Sequence, residues 1–298
     1  MRIAYLILAH QNIDQLALLI DTLTYGTRNF CFLHLDARLH TPSFSRKLNK
    51  LTKSQNWYAI KKRLIVNWGG FSMVEATLNL MLAALNYSNI KFDYLSLHSG
   101  MDFPIKSNQE IEQYLINNKE HQFMEFFKLP NLKKWAGNGG LDRVNYYWFI
   151  DELGYLKSEE LMIAQKKNKF RKERLEKIDS IYGGSQWWTL TADCAEYIIH
   201  FLNETVGFYH FFKYTNISDE MFFQTILLNS KYNGQIINNN LRLIDWSANL
   251  RSPKILDMSD LAKFKHSRCL YARKFDINID ANVIKSLYNR YLISESAI

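Results

Sequence analysis

Cysteine is almost missing: Cys31, Cys194 and Cys269 are three thiols in 298 residues, odd in number, scattered, and without a C-x-x-C spacing. That pattern excludes a disulfide framework and a cysteine zinc site, and it suits a reducing compartment. The glycine-rich nucleotide signatures are missing too. No G-x-G-x-x-G follows the first apolar run, and the nearest approach, GNGG at 137–140, lies in irregular chain, which disfavours a dinucleotide-binding Rossmann enzyme. The chain also has no P-loop and no G-x-S-x-G elbow. No apolar run approaches the roughly 18 residues that a membrane span needs. MRIAYLILAHQN at the N-terminus is short in apolar residues and lacks a small-residue cleavage site, so it reads as a first strand, not a signal peptide.

What is present points to a large folded core. Hydrophobic residues make up 47% and aromatics 14% of the chain, which excludes a disordered protein. The 37 Lys and Arg outweigh the 29 Asp and Glu by +8, favouring an anionic partner: a phosphorylated ligand, an acidic membrane or nucleic acid. Strands are predicted at 3–9, 29–36, 63–68, 92–99 and 122–127, alternating with helices over 12–23, 72–85 and 107–115. Ser107 and Glu110 form a capping-box pattern ahead of the last helix. Alternation of this kind implies an α/β fold, a mixed but mainly parallel sheet flanked by helices. Residues 128–157 show no period and read as a long functional loop; regularity returns with SQWWTLT at 185–191. One elaborated domain is expected over 1–298, with halves at 1–127 and 128–298.

Ligands of such sheets bind at the carboxyl ends of strands, which singles out His10, Asp36, Trp68 and Asp102. Enzymes that use sugar nucleotides often hold a divalent metal through Asp-x-Asp, and that motif occurs nowhere in the chain. A departing diphosphate would then need fixed cations, and Arg251, Lys254, Arg273 and Lys274 are candidates, although their bland reading is surface charge. SDEMFFQTILL at 218–228 places Asp219 and Glu220 before an apolar run, as helix-start residues or as catalytic carboxylates. KKNKFRKERLEK at 166–177 reads as a helix carrying seven basic residues against two acids: a solvated face, or a docking face for an anionic membrane.

Taken in order, AYLILAHQN, FLHLD, WGGFSMVEATLNLM, YLSLHSGMDFPIKS, SDEMFFQTIL and LYARKFD resemble the core-2/I-branching β-1,6-N-acetylglucosaminyltransferase family, which includes the peptide O-xylosyltransferases, and most of all its small bacterial members. The resemblance implies a GT-A-type Rossmann-like fold and inverting, metal-independent transfer from a UDP-sugar, with no cofactor. It implies Glu220 as catalytic base and Arg251 and Lys274 on the UDP diphosphate. It further implies Asp36 at the uridine, with His10, Trp68, Ser99 and Asp102 of the SGMDFP loop around the donor. Arg143 and Trp246 resemble acceptor-lining positions, and Trp187 and Trp188 have either a sugar-stacking or a core reading.

The expected reaction moves N-acetylglucosamine, or else xylose or another hexose, onto a hydroxyl of a glycan or lipid-linked glycan, as in bacterial surface polysaccharide or lipopolysaccharide synthesis. The family's animal members carry an anchor, a stem and disulfides that are not seen here, so a cytoplasmic location is expected, with peripheral contact at the inner membrane face through 166–177. The competing reading is a basic non-catalytic module for anionic lipid or nucleic acid. Nucleic acid is disfavoured because no reading element accompanies the charge. A third reading keeps the fold but hydrolyses the nucleotide-sugar or uses a donor other than UDP.

Overall fold

The computed structural model describes residues 1–294 apart from Asn89, Arg174, Glu176, Lys177, Asn249, Leu250 and Arg251. In chain order the first elements are β1 (Ile3–Ala9), α1 (Ile13–Thr24), β2 (Phe30–Leu35), α2 (Thr41–Leu51) and β3 (Trp57–Ala59). Next come α3 (Ser72–Leu85), β4 (Tyr94–Ser99), β5 (Asp102–Pro104), α4 (Asn108–Asn117) and β6 (Gln122–Lys128). Four helices follow: α5 (Ala136–Gly139), α6 (Leu141–Asn145), α7 (Ile150–Leu153) and α8 (Tyr155–Lys167). Then come β7 (Tyr182–Thr191), α9 (Ala192–Glu204), α10 (Val206–Lys213), α11 (Phe222–Leu228) and β8 (Ile236–Ile237). The chain closes with β9 (Arg242–Ile244), α12 (Leu261–His266), β10 (Tyr271–Arg273) and α13 (Ala281–Ser294).

Two compact units share these elements. One comprises Met1–Arg63, Ala83–Glu120 and Leu241–Ile298; the other comprises Leu64–Leu82 and His121–Asn240. The 127/128 break expected from sequence falls inside the second unit. The return of the chain explains this, because β10 pairs antiparallel with β5 and parallel with β9, which carries residues after 240 back into the first unit.

In the first unit β3, β2, β1 and β4 lie side by side and all parallel. Every residue of β1 and β4 is buried, which is why both read as continuous apolar runs and not as alternating ones. The capping box forms as predicted: Ser107 N donates to Glu110 Oε2 at 2.8 Å, and Glu110 N donates to Ser107 Oγ at 3.2 Å. In the second unit β6 pairs antiparallel with β7 and parallel with β8.

Three expectations need correction. Residues 63–68 form no strand; β2 takes Trp57–Ala59 as its neighbour, and the Arg63 guanidinium instead donates to the carbonyls of Leu35, Asp36 and Leu39. The stretch 128–157 is not one loop: it holds α5, α6 and α7, helices too short to show a period, and the first three residues of α8. The basic run 166–177 is helical only to Lys167; beyond it the described residues form no helix, and Arg174, Glu176 and Lys177 lie outside the described residues.

Candidate active site

The first unit gathers candidate donor residues at the carboxyl ends of its parallel strands. His10 follows β1, Asp36 follows β2 and Ser99 ends β4. With the strand order β3-β2-β1-β4, connections run outward in opposite directions from β1 and β4, and ligands of open α/β sheets favour such a switch point. Asp36 is buried, accepting from Arg38 N at 2.8 Å and from Arg38 Nη1 at 3.2 Å. His10 is exposed, and its imidazole is lowered by partial burial and by the Lys274 charge, against the opposing pull of Asp36.

Lys274 owes its place to the residue before it. Arg273 in β10 sits opposite Asp102 in β5, and its Nη1 lies 3.3 Å from Asp102 Oδ1. Phe275 N donates to Met101 O at 2.9 Å, and Gln15 Nε2 donates to both Gly100 O and Phe275 O, which fastens this segment to the loop after β4. Burial and the Arg273 charge lower the Lys274 ammonium, with Asp276 and Asp102 opposing.

Asp102 is fully buried, and this corrects its expected contact with the donor. Its carboxylate accepts from Ser99 Oγ at 2.8 Å and Ser99 N at 3.2 Å, while His98 Nδ1 lies 3.5 Å away. Burial works to raise this carboxyl; Arg273, then His98 and Arg242, outweigh it, so the net shift is downward. The loop is therefore built around a buried ionic cluster. Trp246 is exposed and stands next to Asp245, which pairs with Lys263 at 3.2 Å. Arg251 lies outside the described residues.

His98 in that cluster gives a pH signature. Burial and then Arg242 push its imidazole down to about 4, while the unfolded chain protonates near 6.5. The folded pKa is the lower one, so stability is full above about pH 6.5 and is lost as pH falls toward 4. Buried His34, also pushed down to about 4, acts in the same sense. Each unit of depression is worth about 1.4 kcal/mol. Calorimetric midpoints are expected to fall steeply across this window, and less steeply in His98→Gln; midpoints flat from pH 6.5 to 4 would contradict the account.

In the second unit the two acids sit in a 3₁₀ turn, Ser218–Glu220, and α11 starts only at Phe222. Neither caps α11, contrary to the helix-start expectation. Ile217 before the turn has φ 53°, and its N–H donates to Gly69 O at 2.8 Å, so tertiary contact sets the turn. Asp219 faces inward and is buried; burial and then the neighbouring Glu220 charge push its carboxyl up to about 7. The Glu220 side chain remains 33% accessible. Its shielded surroundings raise its pKa, Arg143 opposes, and Glu125 adds to the rise.

Arg143, expected at the acceptor, meets Glu220: its Nη1 lies 3.1 Å from Glu220 Oε2. The guanidinium also lies 3.8 Å from the centroid of the Trp135 ring, a cation–π support. Trp135 is seated by glycines, since a Cβ at Gly140, whose φ is +92°, would come within 2.2 Å of its ring, and one at Gly183 within 2.5 Å. Sequence reasoning missed Trp135; the signal was the glycines of GNGG and YGGS, which make room for a large neighbour. Trp68 is 65% exposed with its ring 5.3 Å from Tyr155. Trp187 and Trp188 are buried, the latter against Phe223, so both belong to the core and not to a sugar platform. Among the described residues, no group of three or more His, Cys, Asp or Glu side chains gathers as a metal site.

The Core-2/I-Branching enzyme family matches residues 3–266. The chain belongs to that family. Core-2/I-Branching relatives include xylosyltransferase 2 of Mus musculus, 25% identical over 100% of this chain and 35% of the relative, and xylosyltransferase 1 of Rattus norvegicus, 23% identical over 96% and 35%. The chain thus spans about a third of the length of these relatives. Among solved structures, 4-diphosphocytidyl-2C-methyl-D-erythritolsynthase from Anaerococcus prevotii aligns over 69% of this chain and 75% of its own, at 9% identity and a TM-score of 0.34, too loose a likeness to carry weight. Among the described residues of this Core-2/I-Branching chain, no helix is long and apolar enough to cross a membrane.

Proposed function

We propose that the protein is an inverting, metal-independent glycosyltransferase that moves a sugar, N-acetylglucosamine before xylose or another hexose, from a UDP-sugar to a glycan hydroxyl. The observation that carries this reading is Glu220, a partly accessible carboxylate of raised pKa, fixed by Arg143 at 3.1 Å. A general base works best when its pKa is brought toward the working pH and its direction is set by a partner. In the proposed step Glu220 takes the proton of the acceptor hydroxyl as that oxygen bonds to the anomeric carbon. The bond from that carbon to the UDP oxygen breaks, and the diphosphate leaves with its charge met by Lys274 and Arg251.

His10, Asp36 and Ser99 are the proposed donor contacts of the first unit, with Asp102 acting through Ser99 and Arg273 instead of touching the donor. Trp68, an exposed ring, is assigned to the donor, and Arg143 and Trp246 to the acceptor. A glycan on a lipid carrier in surface polysaccharide synthesis is the proposed acceptor, reached from the cytoplasmic side with peripheral contact through 166–177. Transfer is expected to persist in excess EDTA, read as UDP released per acceptor extended. Turnover that collapses with the chelator and returns with magnesium would overturn the metal-independent reading, and thermal shifts larger with GDP or CMP than with UDP would overturn the donor.

A further inference from the structure

The stretch NWGGFS, residues 67–72 of the second unit, has two adjacent glycines, and a carboxylate far along the chain explains the second of them. Asp151, in the first turn of α7, accepts three hydrogen bonds from this stretch. Its Oδ1 accepts from Ser72 Oγ at 2.6 Å and from Asn67 Nδ2 at 3.0 Å, and its Oδ2 accepts from Ser72 N at 2.8 Å. Ser72 is the first residue of α3, where backbone N–H groups have no partner within the helix, so an acid from α7 caps α3. Ser72 Oγ also accepts from Asn67 N at 2.9 Å, and Gly70 N donates to Asn67 O at 3.0 Å, which closes 67–72 into a loop around one side chain. A Cβ at Gly70 would come 2.4 Å from Asp151 Oδ1, and the three nearest atoms it would meet all belong to that carboxyl group. Gly70 is the residue that lets the acid in.

The same loop reaches the turn that carries Glu220. Gly69, at φ +78°, offers its carbonyl to Ile217 N at 2.8 Å, and Glu220 N donates to Ile217 O at 3.2 Å. The preceding N–H, that of Asn216, donates to Arg143 O at 3.2 Å. Two successive N–H groups therefore tie the turn to Gly69 on one side and, on the other, to the residue whose guanidinium meets Glu220 at 3.1 Å. Gly69 is itself packed closely, since a Cβ there would lie 3.5 Å from both Ile217 and Ile150, the neighbour of Asp151 in α7. Asp151, Gly69, Ile217, Arg143 and Glu220 all belong to the second unit.

We infer that Asp151 is a positioning residue for the transfer step, resting on Glu220 as the proposed base: by fixing the 67–72 loop it holds the Gly69 carbonyl against Ile217 and so keeps the Glu220 carboxylate on Arg143. Asp151 is an exposed residue, and a cap of this kind can be removed with the fold retained.

Asp151→Ala is expected to lower turnover roughly tenfold at unchanged circular dichroism, less than the 10²-fold that a 1 Å misplacement can cost. Gly70→Ala should do the same with the acid still present, because its Cβ displaces the carboxylate; added to Asp151→Ala it should cost little more, a coupling that unconnected positions do not show. A cap without bearing on the site would leave the titration of Glu220 where it is. Burial raises the Glu220 carboxyl and Arg143 opposes the rise, so a turn that swings off Arg143 should titrate at higher pH. NMR titration of ¹³C-labelled glutamate carboxyls, with Glu220 assigned through Glu220→Gln, reads this in the free chain without sugar nucleotide. An upward shift in both single variants supports the positioning role even if the parent chain transfers no sugar, a result that would count against Glu220 as base alone. A Glu220 titration unmoved in both variants, or turnover losses that only follow the folded fraction, would overturn it.

Discussion

Glu220→Gln is expected to lower the turnover of sugar transfer by roughly 10³-fold, within the range that general-base catalysis supplies, while leaving UDP affinity within about twofold. Glutamine keeps the shape and still offers an oxygen to Arg143 Nη1, now 3.1 Å from the Glu220 carboxylate, so the turn should hold. What it removes is the ability to take a proton. The neighbouring acid is the control. Asp219 is buried beside it in the same 3₁₀ turn, only 8% exposed, its carboxyl pushed up to about 7 by burial and then by Glu220. Asp219→Asn should therefore cost far less turnover than Glu220→Gln. A transfer assay paired with calorimetric UDP binding separates the two acids. Comparable losses in both variants, or a Glu220→Gln enzyme near full turnover, would remove Glu220 from its proposed role.

The sequence made the parallel core legible because burial leaves a direct mark there. IAYLILA and YLSLHS are apolar throughout since β1 and β4 have no solvent face, and Ser107 with Glu110 announces α4 because a capping box is a local device. Features that depend on partners distant in sequence left no such mark. RLIVNW looks like a strand, yet Arg63 spends its guanidinium on carbonyls at the end of β2. Asp219 and Glu220 look like helix-start acids, yet a turn set by Gly69 and Ile217 delays α11 past them. Arg143 stood out in the sequence only as a candidate site residue; its pairing with Glu220 joins residues 77 apart in the chain, and the Trp135 ring beside it announced itself only through neighbouring glycines. Asp102 was legible as an acid after a strand. Its burial, and therefore its structural task, depends on Arg273.

Asp102→Asn is expected to destabilise the protein by about 3–5 kcal/mol, the usual cost of breaking a buried ion pair by removing one partner. The mutated carboxylate is fully buried, it accepts two hydrogen bonds from Ser99, and the nearby Arg273 side chain is only 12% accessible, so the cation left behind has little water to replace its partner. Arg242 adds a second buried cation, donating to Leu97 O at 2.6 Å, and its charge also loses a compensating carboxylate. For a chain of this size the loss corresponds to a fall of roughly 10 °C in the melting midpoint. Arg273→Met alone should cost a similar amount, because it strands Asp102. The double variant, Asp102→Asn with Arg273→Met, leaves neither partner of this pair orphaned and is expected to recover part of the sum, a coupling that urea denaturation can measure. UDP affinity should fall in each single variant as well, since Lys274 follows Arg273 and its backbone carbonyl accepts from Leu256 N at 2.8 Å in the same assembly. Strict additivity of the two single changes, or a midpoint shift of only a degree or two in Asp102→Asn, would mean that the buried carboxylate does not hold this loop and that Lys274 is positioned by the β5–β10 backbone pairing alone.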